Sequence, residues 1–136
     1  MQRGELITPC FYVSTNVNMD GVDNIDAFFS KATTAVASIF GKPKTCTYIS
    51  IKREITFAFL QYVMVVLKGS LDISFGGNKE PAAFAEIVSM GGIDSDVKRN
   101  LIATLGTILH NRFSIPTTRF FLKVYDTTMP RKLSKL

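Results

Sequence analysis

The sequence is poor in the residues that build disulfide frameworks, metal sites and membrane spans. It has two cysteines, Cys10 and Cys46, and one histidine in 136 residues, too few for a disulfide scaffold or a typical zinc site. No secretory signal opens the chain. The most apolar stretch, residues 55–67, is interrupted by polar side chains and is too short to cross a bilayer as a helix. We therefore expect a protein of a reducing compartment with neither a bound metal nor membrane insertion.

The positive charge is concentrated in the last part of the chain. The formal net charge is +5 at pH 7, and the excess lies in residues 101–136, where six basic side chains face one acid, Asp126. A nucleic-acid-binding protein more often clusters its cations on a helix face or interleaves them with exposed aromatic residues. We expect no nucleic-acid partner. The single histidine, His110, is expected near a helix C-terminus, where it complements the helix dipole rather than serving catalysis.

The first half of the chain has the pattern strand, helix, strand. Residues 11–17 mix aromatic and β-branched side chains and predict a strand. From residue 25 the apolar positions follow helical spacing up to Gly41, and Asp23 or Asn24 is the expected N-cap. Residues 62–67 are almost all apolar, which is typical of a strand covered on both faces.

The second half repeats this order. A short strand is predicted at residues 72–75, before the Gly76-Gly77-Asn78 turn, and a longer one at residues 83–89. A helix follows, with Asp94, Ser95 and Asp96 expected to supply its cap and to complement its dipole, and the last strand is predicted at residues 119–125. Two βαβ units in tandem predict an α+β fold, with a four-stranded sheet and both helices on one face. The uncovered face of that sheet requires a partner, so we expect a homo-oligomer.

Several segments in order resemble the macrophage migration inhibitory factor and D-dopachrome tautomerase family, most closely its plant members. They cover residues 9–126 apart from one insertion. The segments are Pro9-Cys10-Phe11-Tyr12-Val13-Ser14-Thr15-Asn16-Val17, Gly41-Lys42-Pro43, Phe75-Gly76-Gly77, Ser89-Met90-Gly91-Gly92-Ile93 and Arg119-Phe120-Phe121-Leu122-Lys123-Val124-Tyr125-Asp126.

This resemblance implies a homotrimer with an active site at each subunit interface. It also implies a cofactor-independent tautomerase that acts on a small enolisable aromatic acid such as phenylpyruvate, or on D-dopachrome. An N-terminal proline is the catalytic base of the family, and Pro9 matches it. Lys42 matches the residue that binds the substrate carboxylate, and Met90 matches a residue that lines the pocket. Keto–enol exchange needs one group that removes and returns a proton, so no cofactor is required.

Two departures from the family pattern concern the chemistry. Residues 1–8 precede Pro9, and while they are attached the Pro9 nitrogen is an amide without a basic lone pair. Where animal members have a tyrosine and an asparagine, this chain has Phe121 and Lys123, so a hydroxyl donor is lost and a cation is gained. The alternative is therefore a catalytically silent binding or signalling protein on the same scaffold.

Outside the matched domain the sequence has an extension, an insertion and a tail. Residues 1–8 form the extension, and residues 127–136 form the tail. The insertion, residues 45–60, contains two alternating apolar runs that predict a hairpin. It is either a lid over Lys42 or the product of splicing or of an incorrect gene model. The sequence ends in Ser134-Lys135-Leu136, a tripeptide that the peroxisomal import receptor binds. We expect a peroxisomal location, with the cytosol as the alternative.

Overall fold

The computed structural model describes residues 9–41, 62–91 and 93–127. Several sequence-based expectations lie outside these residues. They are the extension at residues 1–8, Lys42, the insertion at residues 45–60, and the C-terminal Ser134-Lys135-Leu136.

The described part folds into one four-stranded sheet with two helices. The elements, in chain order, are β1 (Cys10–Thr15), α1 (Ile25–Phe40), β2 (Met64–Lys68), β3 (Ala83–Ser89), α2 (Ser95–Phe113) and β4 (Phe120–Asp126), with a short 3-10 turn at Thr117–Arg119 before β4. The strand order is β2-β1-β3-β4. Strands β1 and β2 are parallel, as are β3 and β4, and the two βαβ units meet through the antiparallel pair β1 and β3. The predicted α+β architecture is confirmed.

The core lies between one face of the sheet and the two helices. Alternate residues of β1 and β3 point into it, and the helices contribute one apolar side chain per turn, as their 3.6-residue period requires. The fully buried large side chains include Phe11, Ile87, Phe28, Leu101, Leu105 and Leu109. The rings of Phe28 and Phe113 lie 5.1 Å apart and join the two helices. Both helices therefore cover the same face of the sheet, as expected.

The opposite face of the sheet is open in the single chain. It carries large apolar side chains that are about half exposed: Tyr12, Met64, Phe84, Phe121 and Tyr125. Strand β2 was expected to be covered on both faces, and that expectation is wrong, because β2 is an edge strand and Met64 is 54% exposed. An apolar surface of this extent on a sheet usually marks an interface with another chain.

The two helices begin in different ways. The carboxylate of Asp94 accepts a hydrogen bond from the backbone N–H of Val97 at 2.8 Å, so Asp94 is the cap among the three residues expected to supply it. Asn24 occupies the cap position of α1, but its φ is 55° and its side chain makes no capping bond. The expectation of a side-chain cap there is wrong. Instead, the Arg112 guanidinium, in the last turn of α2, donates to the Asn24 carbonyl at 2.8 Å.

Residues 71–81 form an irregular loop instead of the short strand predicted at residues 72–75. The only strand-like pairing in the loop is the bridge between Phe75 and Asn78, around Gly76 and Gly77 with φ of 65° and 85°. Backbone carbonyls of this loop accept hydrogen bonds from two side chains outside it, the Asn16 amide and the Arg119 guanidinium. Local β propensity was overridden by these long-range hydrogen bonds.

No helix in residues 9–41, 62–91 and 93–127 combines the length and apolar character that a membrane span requires.

Candidate active site

Pro9 lies at the start of β1 and is fully buried. Its carbonyl accepts a hydrogen bond from the backbone N–H of Met64 at 3.1 Å, which ties it to the start of β2. On its other side, the antiparallel register puts Cys10 opposite Val88. Pro9 therefore lies at the end of the sheet where β1 and β2 begin and β3 finishes.

Met90 follows β3 at this same end of the sheet, in a turn that is closed by hydrogen bonds. The hydroxyl of Ser89 donates to the Gly91 carbonyl at 2.8 Å, and the Gly91 N–H donates to the carboxylate of Asp126 at 2.9 Å. The backbone N–H of Thr127 then donates to the Ser89 carbonyl at 2.8 Å. Gly91 has a φ of 85°, a conformation that glycine adopts without steric cost. The structure thus brings Pro9 and Met90 to one end of the sheet.

Lys123 lies on the open face of β4, in the edge strand of the sheet. Its ammonium nitrogen lies 5.0 Å from the centre of the Tyr125 ring. A hydrogen bond to Tyr125 is the main cause that raises the pKa of Lys123 above that of an ordinary lysine, followed by the charge of Tyr125, while Glu86 adds a smaller contribution and burial opposes the shift. Lys123 therefore keeps its positive charge at neutral pH and can bind an anion.

Glu86 stands at the centre of a polar row across the open face. It pairs with Tyr12 on one side and with Lys123 on the other. The pKa of the Tyr12 phenol is raised, chiefly by the neighbouring Cys10 thiol through charge and a hydrogen bond, with burial and Glu86 contributing less. Both Tyr12 and Lys123 thus hold their protons at neutral pH, and the row presents donors on either side of one carboxylate.

Phe121 borders this row on the side away from Pro9. Its ring stacks on that of Phe84, with 5.8 Å between the centroids and 17° between the planes, and Phe121 is 52% exposed. The pair offers a flat apolar surface that suits an aromatic ring. It offers no hydroxyl donor at this position, as the sequence indicated.

A single chain does not bring the two groups of site residues together. The register aligns Phe121 with Phe84, and Phe84 with Ser14, which is five residues along β1 from Pro9, or about 17 Å. Lys123 is aligned through Glu86 with Tyr12, about 10 Å along the strand from Pro9 and about 10 Å across the sheet. Pro9 and Met90 form one group of candidate residues at the end of the sheet, and Phe121 and Lys123 form a second group on β4.

Some polar residues of these regions were not identified from the sequence. Asp126 and Ser89 fix the Met90 turn, and Glu86 lies between Tyr12 and Lys123. The only signal for Glu86 is that a charged residue interrupts an apolar strand. In the part of the chain that the structure describes, no three His, Cys, Asp or Glu side chains are grouped so that they could hold a metal ion.

Comparisons of the sequence with a family model and with individual known proteins identify the same family. The model of the family described as "Macrophage migration inhibitory factor (MIF)" matches residues 56–132. The chain is 31% identical to the macrophage migration inhibitory factor homolog of Trichuris trichiura over 119 residues, which is 87% of this chain and 88% of the relative. It is 29% identical to the homolog of Trichinella spiralis over 114 residues, covering 84% of each protein.

A solved structure gives the same result for the fold. The macrophage migration inhibitory factor of Trichinella spiralis superposes with a TM-score of 0.67 at 27% sequence identity, covering 86% of this chain and 88% of that one. Sequence similarity to both relatives therefore extends over most of the chain, and the arrangement of strands and helices is similar to that of the solved Trichinella spiralis structure.

Proposed function

Because this chain belongs to the macrophage migration inhibitory factor family, we propose that it is a cofactor-independent keto–enol tautomerase of the phenylpyruvate or D-dopachrome type. The observation that supports this most is the position of Pro9. It is held at the start of the central strand β1 by its bond to Met64, beside the turn that carries Met90. The substrate is a small enolisable aromatic acid.

In this proposal the base is the free secondary amine of Pro9. A terminal amine has an unperturbed pKa near about 8, and an apolar pocket with nearby cations lowers it toward neutrality, where a base removes and returns protons efficiently. The burial of Pro9 is consistent with such a pocket. In the sequence as it stands Pro9 is joined to Thr8, so activity requires removal of residues 1–8.

Two cations orient the substrate anion. Lys42, next to the end of α1 in the sequence, and Lys123, on β4, are proposed to bind the carboxylate. The pKa of Lys123 is raised, so it is charged over the whole range in which the amine of Pro9 acts as a base. The stacked Phe121 and Phe84 rings are proposed to contact the aromatic end of the substrate.

The proposed site needs two copies of the chain, because Pro9 and Lys123 are far apart within one. We propose a homotrimer in which the half-site of Pro9 and Met90 from one copy meets the half-site of Phe121 and Lys123 from the next. A head-to-tail contact of this kind closes into a ring. The exposed apolar face of the sheet, with β2 and β4 at its edges, offers the surface for it.

The test is phenylpyruvate keto–enol exchange in the full chain and in a version that starts at Pro9. Each is measured beside its Pro9→Gly control, which in the version that starts at residue 9 keeps a terminal amine but makes it primary instead of secondary. We expect exchange only in the version that starts at Pro9, with a large loss on substitution. A trimmed protein that is folded and oligomeric but gives no exchange would exclude the proline mechanism.

The second candidate is a catalytically silent binding or signalling protein. The amide linkage of Pro9 and the absence of a hydroxyl at Phe121 favour it. The mass of the mature chain distinguishes the two candidates, since a chain that starts at Pro9 supports the enzyme, and one that retains residues 1–8 supports the silent protein.

For either candidate we propose peroxisomal import through Ser134-Lys135-Leu136, with the cytosol as the alternative. A fluorescent protein fused ahead of the chain should enter peroxisomes, and deletion of Leu136 should leave it in the cytosol. A fusion that stays cytosolic with the tripeptide intact would contradict this location.

A further inference from the structure

We infer that Asp126 is a positioning residue for the candidate site, because its carboxylate holds the turn that carries Met90. The inference deepens the proposed function and rests on it for the assignment of Met90 to the pocket. Asp126 lies at the end of β4, directly across from Ser89 at the end of β3. From there, one carboxylate oxygen accepts the Gly91 N–H at 2.9 Å in a partly buried position.

The hydrogen bonds on both sides of Met90 meet at this point. Ser89 is 1% exposed, and its hydroxyl donates to the Gly91 carbonyl. Its own carbonyl accepts from the backbone N–H and the hydroxyl of Thr127, at 2.8 and 3.2 Å. The residues before and after Met90 are therefore both fastened to the end of β4. Two side chains of this network bind the backbone beyond Met90: Ser89 holds the Gly91 carbonyl, and Asp126 holds the Gly91 N–H from the end of β4.

Loss of the carboxylate would leave the Gly91 N–H without this charged acceptor in a partly buried turn. Gly91 already has a φ of 85°, so the turn has other backbone conformations available to it once the bond is lost. Met90 would then sample several positions instead of one. In a pocket that recognises a small planar acid, a displaced wall weakens substrate binding more than it changes the proton transfer itself.

The first test is methyl NMR on the full chain with labelled methionine. Met90→Leu identifies the Met90 signal by deleting it, and Met19, at the opposite end of the sheet, is the internal reference. We expect Asp126→Ala to shift and broaden the Met90 signal and to leave that of Met19 unchanged. Asp126→Asn, whose amide oxygen still accepts from Gly91, should restore most of the parent signal. If the alanine variant does not fold, it is replaced by Asp126→Ser, whose side chain is too short for its hydroxyl to reach the Gly91 N–H.

A Met90 signal in Asp126→Ala that superposes on that of the parent would overturn the inference. Asp96→Ala is the matched control, because Asp96 is an acidic residue that forms only an exposed ion pair with Arg99, and it should leave Met90 unchanged. An equal shift of Met90 in both variants would also overturn the inference.

The second test is steady-state kinetics in the version that starts at Pro9. Asp126→Ala loses one charged hydrogen bond that holds the Met90 wall of the proposed pocket. Its KM should rise roughly 5–30-fold with a smaller change in kcat, and Asp126→Asn should return the KM close to that of the parent. A fall in kcat at constant KM would contradict the positioning role. If the parent shows no exchange, the proposed tautomerase function fails, and the methyl signals still decide whether Asp126 positions Met90.

Discussion

Replacing Asn16 by aspartate should destabilise the protein much more than the same replacement two residues away. The side-chain amide of Asn16 donates to the carbonyls of Lys79 and Glu80 at 3.1 and 3.0 Å, with a longer contact to Ile73 at 3.4 Å. Its oxygen accepts from the Ala82 N–H at 2.9 Å. This one side chain therefore fastens the loop at residues 71–81 to the end of β1.

In Asn16→Asp the acceptor is kept, but the two donated bonds are lost and a carboxylate oxygen faces carbonyl oxygens. Each lost bond contributes about 0.5–1.5 kcal/mol, and the repulsion adds to this. Because the loop carbonyls are partly accessible to water, we expect a total loss of about 2–3 kcal/mol in the free energy of unfolding, measured by urea denaturation at fixed protein concentration.

Asn18→Asp is the matched control. Asn18 uses its side-chain oxygen, which accepts from the Asp20 N–H and the Ser70 hydroxyl at 2.8 and 3.2 Å, and aspartate keeps both bonds. Its stability should change by less than about 0.5 kcal/mol. Equal stability of the two variants would refute the reasoning.

The Asn16→Asp variant should also gain stability, relative to the parent, as the pH falls. The surrounding carbonyls raise the pKa of the new carboxyl in the folded state, because only the protonated form can donate to them. The folded state then binds more protons than the unfolded state. The loss in the free energy of unfolding relative to the parent is therefore complete at neutral pH and becomes smaller below about pH 5. A deficit that does not depend on pH would contradict this explanation.

Three other predictions address the core, a cap and a charge. Leu105→Ala, at a side chain 1% exposed, should cost about 2–5 kcal/mol in urea denaturation, and a loss under about 1 kcal/mol would contradict its core position. Asp94→Ala should cost about 0.5–2 kcal/mol by the same measurement, whereas Asp96→Ala, which removes no capping bond, should cost clearly less; equal costs would be evidence against the cap. Tyr125→Phe should lower the pKa of Lys123 toward that of an ordinary lysine in an NMR titration, and an unchanged pKa would show that Tyr125 is not its cause.

The order and type of the main elements could be predicted because they depend on local pattern. Apolar spacing marked both helices and four of the predicted strands, and Asp94 acts as a cap because its partner lies three residues away. The start of α1 could not be predicted in the same way. There the Asn24 carbonyl is held by Arg112, a contact between distant parts of the chain that no local pattern contains.

The candidate site could be predicted only in part, for a similar reason. The resemblance picked out Pro9, Met90, Phe121 and Lys123 one by one, but their grouping depends on strand register, which is a tertiary property. It places the first two at one end of the sheet and the last two on β4, beyond reach within one copy. Nor does an apolar run distinguish a strand that is covered on both faces from one such as β2, which has one open face in the single chain.

The most direct test of the account mixes two inactive variants in the version that starts at Pro9. Pro9→Gly and Lys123→Ala should each be nearly inactive alone. If the site combines Pro9 of one copy with Lys123 of the next, subunit exchange in an equal mixture should restore phenylpyruvate exchange, to about a quarter of the parent activity in a trimer with random assembly. A mixture that exchanges subunits and stays as inactive as its two components would contradict a tautomerase site shared between neighbouring subunits.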